Sequence, residues 1–436
     1  MSTPLYDALK DYAARRTARF HMPGHKGRWL PIPELAPLAP LDVTEIPGTG
    51  NLYEAGEPFD SAQALWAEAF GFDHCQFLTG GSTMGVLTGL TLFCPPGSRV
   101  LLDRGCHRSA FNALALLDLD PVYLPRPWLA EENLVGPFGP EQVAAALENA
   151  PDAKTVCITS PTYAGALSDI PAIAQVAHAH GAKLLVDGAH GAHLPFLGLD
   201  AFAGADGVVV SAHKTLPAMG QSALLLTRGV DPELVRRRAS LYGSSSPSYP
   251  MMASLDAARD WLLGPGKQEY DRAARRAAGL RRRFPSVGDQ LPWDPARLTV
   301  KVKNGPAFAR ALEDMGIYPE MEDGGHVVFI CSAQDREEDL DRLEGALSAL
   351  EGEMGPCPPL PAPPAPERVL SPRQALFAPV ETLPLADCLG RVAAGQLAPY
   401  PPGVPVVAPG ERIGKKELSY FARIGYNNPS VAVVRG

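Results

Sequence analysis

Long apolar runs are missing from this 436-residue chain. None approaches the roughly 18 residues that a membrane span needs. The opening stretch, MSTPLYDALKDYAARRTARF, has an amphipathic helical pattern and lacks the apolar centre of a signal peptide. A cytoplasmic protein without membrane association is the expectation. An excess of positive charge is missing too: 39 Lys and Arg stand against 48 Asp and Glu, a net charge of −9 at pH 7. Nucleic acid is therefore not the expected partner. The seven cysteines are scattered and include no C-x-x-C pair, which fits reduced thiols in a cytosolic protein. No G-x-G-x-x-G is present, so there is no dinucleotide fingerprint. No internal repeat is visible. Proline is plentiful, with 45 residues in loops and in one stretch, EMGPCPPLPAPPAPER (353–368), which reads as a semi-rigid linker.

What is present is a pattern of alternation. Residues 1–50 read as a helix and an irregular arm, HMPGHKGRWLPIPELAPLAPLDVTEIPGTG, whose Pro and Gly content forbids a regular element. Such an arm needs another surface to order it. Across 51–245, short apolar strands (SRVLLD, KTVCITS, AKLLVD, DGVVVS) alternate with helices (SAQALWAEAFG, GGSTMGVLTGLTLF, HRSAFNALALL, IPAIAQVAHAHG). That alternation predicts an α/β fold with a mostly parallel sheet, and ligands on such sheets bind at the carboxyl ends of the strands. Residues 246–352 read as a smaller α+β domain. Its first helix, QEYDRAARRAAGLRRRF, carries a basic face expected to be solvated. A C-terminal module, 369–436, follows the linker.

The strand ends carry the chemistry. KTVCITS runs into PTYAG, which holds Thr162. KLLVD ends at Asp187 and continues as GAHGAH, with His190 and His193. DGVVVS ends at Ser211, followed by His213 and Lys214. SRVLLD runs into RGCHRS, which holds His107. A Gly-rich turn with Gly81, Ser82 and Thr83 opens a helix. A lysine at a strand end becomes a nucleophile only where its surroundings lower its pKa. A lysine, a strand-end carboxylate and a phosphate-binding turn together suggest pyridoxal phosphate. The lysine forms a Schiff base with the aldehyde, the carboxylate pairs with the pyridine nitrogen, and backbone N–H groups at a helix start bind the phosphate. Taken singly, each piece has a plainer reading: a helix-entry turn, a capping aspartate, a helix-start histidine. Asp187, His190 and His193 match no familiar metal spacing, and His21 and His25 read as loop histidines. No metal is expected.

At this point the residues resemble a known family. The chain is similar to fold-type-I, aspartate-aminotransferase-like enzymes that use pyridoxal 5'-phosphate (PLP), and among them to the Orn/Lys/Arg decarboxylases. FHMPGHKG (20–27), LDVTEIPG (41–48), GGSTMG, CHRS, SPTYAG, VDGAHGAHL, SAHKTLPAMGQ and SSPSYPMMASLDAAR stand in that family's order. PYPPGVPVVAPGE (399–411) resembles its C-terminal domain. The resemblance implies Lys214 as Schiff-base lysine, Asp187 as pyridinium partner, and His107 stacked on the ring. It places His190 close to the cofactor and has Ser82, Thr83 and Ser211 hold the phosphate. His213 is implied as proton donor to the α-carbon. Three segments depart from the family's usual wording: Gly80-Gly81-Ser82-Thr83, NLYEAGEP (51–58) and Arg108. They bear on substrate preference more than on cofactor. The chain resembles the short, biosynthetic members without an N-terminal wing domain.

The expected reaction is α-decarboxylation of a basic amino acid, arginine to agmatine first, as a step in polyamine biosynthesis, with lysine or ornithine as alternatives. A basic substrate needs a carboxylate for its distal cation. Asp42, Glu45, Glu381 and Glu411 are the candidates, and a solvated surface acid is the plain reading of each. The arm implies a homodimer with active sites shared between subunits. An aminotransferase, or a non-catalytic protein of the PLP fold, stays open beside this reading.

Overall fold

The computed structural model describes residues 2–15, 17–288, 291–356, 359–399 and 405–436. Residues 400–404 of the C-terminal motif and 357–358 of the linker fall outside them. The chain divides into two compact units, 1–92 with 185–271 and 93–184 with 272–436.

In the first unit the strand order is His74–Leu78, Ala223–Thr227, Gly207–Val210, then Lys183–Asp187 from Leu185 onward. The last two run parallel, with Val186 opposite Val208 and Asp187 opposite Val209. The strand Ala223–Thr227 is antiparallel to both of its neighbours. These strands are buried and mostly apolar, His74, Gln76, Asp187 and Thr227 apart, as suits strands covered on both faces. The helix Gly81–Phe93 lies on them through two glycines one turn apart. A Cβ on Gly85 would come within 2.5 Å of Val209 and 2.7 Å of Leu78, and one on Gly89 within 2.9 Å of Leu185. The helix therefore sits close to the sheet only because these positions carry no side chain. The helix Pro4–Ala14 buries Leu5 and Leu9, and its first amides, Leu5 N and Tyr6 N, donate to Asp256 Oδ2 at 2.9 and 3.2 Å. Asp256 thus caps it from the helix Tyr249–Leu263.

In the second unit the strands Thr155–Thr159, Arg99–Asp103 and Asp120–Leu124 are parallel. A three-stranded antiparallel sheet, Arg297–Lys301, His326–Ile330 and Met321–Glu322, carries the helices Gly305–Asp314 and Glu337–Ala349 over a core that includes Leu298, Val300, Phe308, Val327 and Leu347. The basic face of the helix Pro265–Arg283 is met by acids of Glu337–Ala349: Arg272 pairs with Glu337 at 2.7 Å, Arg276 with Asp341 at 2.6 Å, and Arg283 with Glu344. The C-terminal residues build a separate core around Cys388, Val407, Ile413, Phe421 and Val433, edged by the antiparallel pair Val380–Leu383 and Val431–Val434.

Candidate active site

In the first unit, the parallel pairing of Lys183–Asp187 with Gly207–Val210 decides what meets at the carboxyl edge. Asp187 is opposite Val209, and Gly188 N donates to Val209 O at 2.8 Å. The chain beyond Val210 therefore leaves its strand beside Asp187. It turns at once into the short helix Ala212–Thr215, which carries His213 and Lys214. Lys214 Nζ lies 3.1 Å from His190 Nε2, and His190 comes from the loop that follows Asp187. Asp187 is 6% exposed, and its Oδ1 accepts from Ala189 N at 3.2 Å. A carboxylate, an imidazole and an amine are thus set at the ends of two neighbouring strands.

The Gly-rich turn reaches the same edge. Gly81 N donates to Gln221 O at 2.9 Å, and His213 N donates to the neighbouring Ser222 O at 3.4 Å. With Gly81 at φ +69°, the helix opens on the amides of Ser82 and Thr83, which have no acceptor within the helix. Ser211 is fully buried, and its hydroxyl has no hydrogen-bond partner among the described residues. A buried hydroxyl is seldom left unpaired. Here it sits at the start of the lysine turn, where a phosphate oxygen would satisfy it. The Ser222 hydroxyl, which the sequence did not single out, is likewise buried without a partner among the described residues. Tyr270 is another position that was not legible. Its hydroxyl donates to Thr215 O, and its ring stacks on His193 at 5.3 Å, so it fixes the end of the lysine turn. His213 is accessible to solvent but partly desolvated by its neighbours, and that desolvation, ahead of the Lys214 charge, lowers its pKa.

The other expected residues belong to the second unit. His107 caps the helix Arg108–Leu117: its Nδ1 accepts from Ser109 N at 3.2 Å, and its ring is exposed. Its turn is held by Asp103. That buried carboxylate takes Arg126 Nη2 at 2.5 Å and Nε at 3.0 Å, Gly105 N at 2.7 Å and Thr159 N at 3.1 Å. Thr162 is buried, and its Oγ1 accepts from Ala166 N at 2.9 Å, which shapes the SPTYAG loop.

The four candidate acids have different surroundings. Glu411 is 2% exposed and gripped by Arg104, Nη1 to Oε1 and Nη2 to Oε2, each at 2.6 Å. Glu381 pairs with Arg391. Asp42 Oδ2 meets His25 Nε2 at 3.0 Å. Glu45 differs: its Oε1 is buried and has no partner among the described residues. Its charge helps raise the pKa values of Tyr53 and Tyr249, after burial of those phenols as the larger cause.

This donor set fits pyridoxal phosphate: an amine beside a buried carboxylate, helix-start amides, and a buried hydroxyl awaiting an acceptor. The comparisons with known proteins agree. A family model described as Orn/Lys/Arg decarboxylase, major domain, matches residues 3–309, and one described as the C-terminal domain matches 362–427. The chain is 31% identical to an arginine decarboxylase of Bacillus subtilis, over 96% of this chain and 93% of that protein. It is 26% identical to the constitutive lysine decarboxylase of Escherichia coli, over 95% of this chain and 76% of that protein. The solved structure of the Escherichia coli constitutive lysine decarboxylase superposes with a TM-score of 0.83 at 21% identity, covering 100% of this chain and 82% of that one. The fold is that of these decarboxylases, and the chain belongs to the Orn/Lys/Arg decarboxylase family as a pyridoxal-phosphate-dependent decarboxylase.

Proposed function

We propose that this enzyme removes CO2 from arginine to give agmatine, a step that feeds polyamine synthesis. The observation that carries the site assignment is the Lys214 amine 3.1 Å from His190, beside a buried Asp187 on the adjoining parallel strand. The choice of arginine rests on the relative named arginine decarboxylase, 31% identical over nearly the whole chain. Lysine is the second reading, because a relative at 26% is named a lysine decarboxylase.

Pyridoxal phosphate, when bound, supplies the electron sink that takes up the pair left behind by CO2. Lys214 Nζ would hold the cofactor through its aldehyde and could move protons at the substrate's α-carbon. Asp187 would pair with the ring nitrogen and keep it protonated, an opposite charge at close range favouring both ionised forms. Ser82, Thr83 and Ser211 grip the phosphate, with Gly81 giving the backbone room. His107 stacks on the ring, and Thr162 and His190 complete its surroundings. His213 would be placed to pass a proton to the α-carbon, with Lys214 as its alternative.

For the distal guanidinium the assignment is Glu45, because Glu411, Glu381 and Asp42 already face Arg104, Arg391 and His25. A homodimer in the cytoplasm completes the proposal. It is supported by the arm, which leaves Phe20, Met22 and Trp29 at 93%, 63% and 67% exposure. That is apolar surface a partner subunit would cover.

The test is CO2 release from arginine, lysine and ornithine in parallel, with PLP added. Wild type is expected to release CO2 from arginine, and Lys214→Ala from none. In the same assay Glu45→Gln should raise KM for arginine. Release from lysine alone would replace the substrate, and release from none of the three would end the basic-amino-acid reading.

A further inference from the structure

A cleft of about 300 Å³ opens in the second unit, between the loop Ile317–Glu320, the end of the strand His326–Ile330 and the helix Glu337–Ala349. It is far smaller than a protein-docking groove and near the lower end of small-molecule sites. Its walls are apolar, with Ile317, Phe329, Leu340 and Leu343, and Tyr318 stands at 79% exposure on the rim. Its charged lining is all of one sign: Glu320, Asp335 and Asp339, with no Lys or Arg among the described lining residues.

The three carboxylates are not equivalent. Asp339 is bridged to Arg336 at 2.9 Å on the exposed side, and Glu320 accepts from the Tyr163 hydroxyl. Asp335 accepts from Ser332 N at 2.8 Å, and the nearby Arg272 is turned to Glu337 and to the Asp335 main-chain oxygen. Burial is the largest influence on Asp335 and raises its pKa.

We propose that this cleft binds the amine product of the chain's own reaction, a linear aliphatic cation, in preference to the amino acid it came from. The inference rests on the decarboxylase reading above. Loss of CO2 removes the only anionic group of the substrate and leaves a hydrocarbon chain with a cation at each end. An apolar trough lined by carboxylates accepts such a chain along its length. No Lys or Arg is among its described lining residues to receive an α-carboxylate, and the neighbouring Arg336 is already engaged by Asp339.

Calorimetric titration of the PLP-loaded full-length enzyme with agmatine, cadaverine and putrescine tests this, with arginine titrated into PLP-loaded Lys214→Ala to prevent turnover. Two agmatine sites per chain and one arginine site are expected. Asp335→Asn should weaken that second site about tenfold or more, the effect of losing a charge-assisted bond. Tyr318→Arg, a change at an exposed position, should do the same by placing a cation on the rim, and it keeps the test valid if Asp335→Asn fails to fold. A single agmatine site unaffected by either variant would overturn the proposal, as would a second site that takes arginine as tightly as agmatine. If cadaverine fills the second site and agmatine does not, the cleft stands and the arginine reading falls.

Discussion

At the scale of single residues, the candidate positions stood out in the sequence because they stand immediately after apolar strands. Lys214, Asp187 and Ser211 needed only the rule that parallel strands deliver their carboxyl ends to one edge. Ser222 and Tyr270 were not legible. Ser222 follows a loop glycine and a glutamine with φ +72°, and Tyr270 reaches Thr215 from a distant helix, so neither leaves a local signature. The Ser211 hydroxyl makes a test that separates a binding role from a structural one. Removing an unpaired buried hydroxyl does little harm to the protein without cofactor and can stabilise it, because no bond is lost. If that hydroxyl meets the phosphate, Ser211→Ala should weaken PLP binding about tenfold, the worth of one charge-assisted bond, while the melting temperature of the cofactor-free protein holds or rises. Fluorescence titration with PLP and a thermal melt measure the two. A fall in melting temperature with unchanged PLP affinity would make Ser211 a structural residue.

At the scale of elements, the helices were easier to see than the strands. Gly71 and Gly181, past helix ends, take the left-handed conformation expected of them, at φ +68° and +69°. Several strands escaped, and three of them show why. ALLLT is a short apolar run, which alone does not choose between strand and helix, and HCQFL alternates over only four residues, too few to stand out. Asp120–Leu124 contains Pro121, which argues against a strand. In the second unit this strand pairs only with Arg99–Asp103, and such an edge is where a strand tolerates proline. The seating of the helix Gly81–Phe93 was also hidden, since a glycine in a helical pattern reads as a weakness until its neighbour Val209 is known.

The N-terminal helix offers a pH test at this scale. Its cap, Asp256, is buried, and burial raises its carboxyl to about 6. Between the ordinary value near 4 and about 6, the folded chain holds a proton that the unfolded chain has lost. This group's contribution to stability is therefore largest in acid and falls as pH rises towards 6, by on the order of 2–3 kcal/mol. Asparagine keeps the acceptor for Leu5 N and Tyr6 N and cannot ionise. Denaturation curves of wild type and Asp256→Asn should converge near pH 4 and separate by pH 7, with the variant the more stable. Parallel curves across that range would show that the carboxyl keeps its ordinary pKa.

At the scale of the molecule, the C-terminal module was visible as a composition change after a proline-rich linker, but its attachment was not. Glu411 read as a surface acid that could meet a substrate cation. The structure instead finds it bidentate with Arg104, two residues before Cys106 in the turn that presents His107. Glu411 Oε2 also takes Ala408 N at 2.7 Å, Arg104 Nη2 also takes Val406 O at 2.9 Å, and the guanidinium lies over the Tyr123 ring. Glu411 follows Gly410, at φ +88°, where a Cβ would fall 2.3 Å from Leu370 O. The PGE sequence is thus a turn that only glycine fits, delivering one acid to one arginine. Breaking a buried pair from one side leaves a stranded charge and costs about 3–5 kcal/mol, whereas replacing both partners by apolar groups costs less. Arg104→Met and Glu411→Leu should each destabilise strongly, and the double variant by less than their sum. If the pair also sets the turn of His107, both single variants should lower kcat for decarboxylation and weaken PLP binding together, since His107 is the proposed ring-stacking residue. Additive destabilisation in the double-mutant cycle would show that the two side chains are not coupled, and unchanged kcat would confine them to holding the module in place.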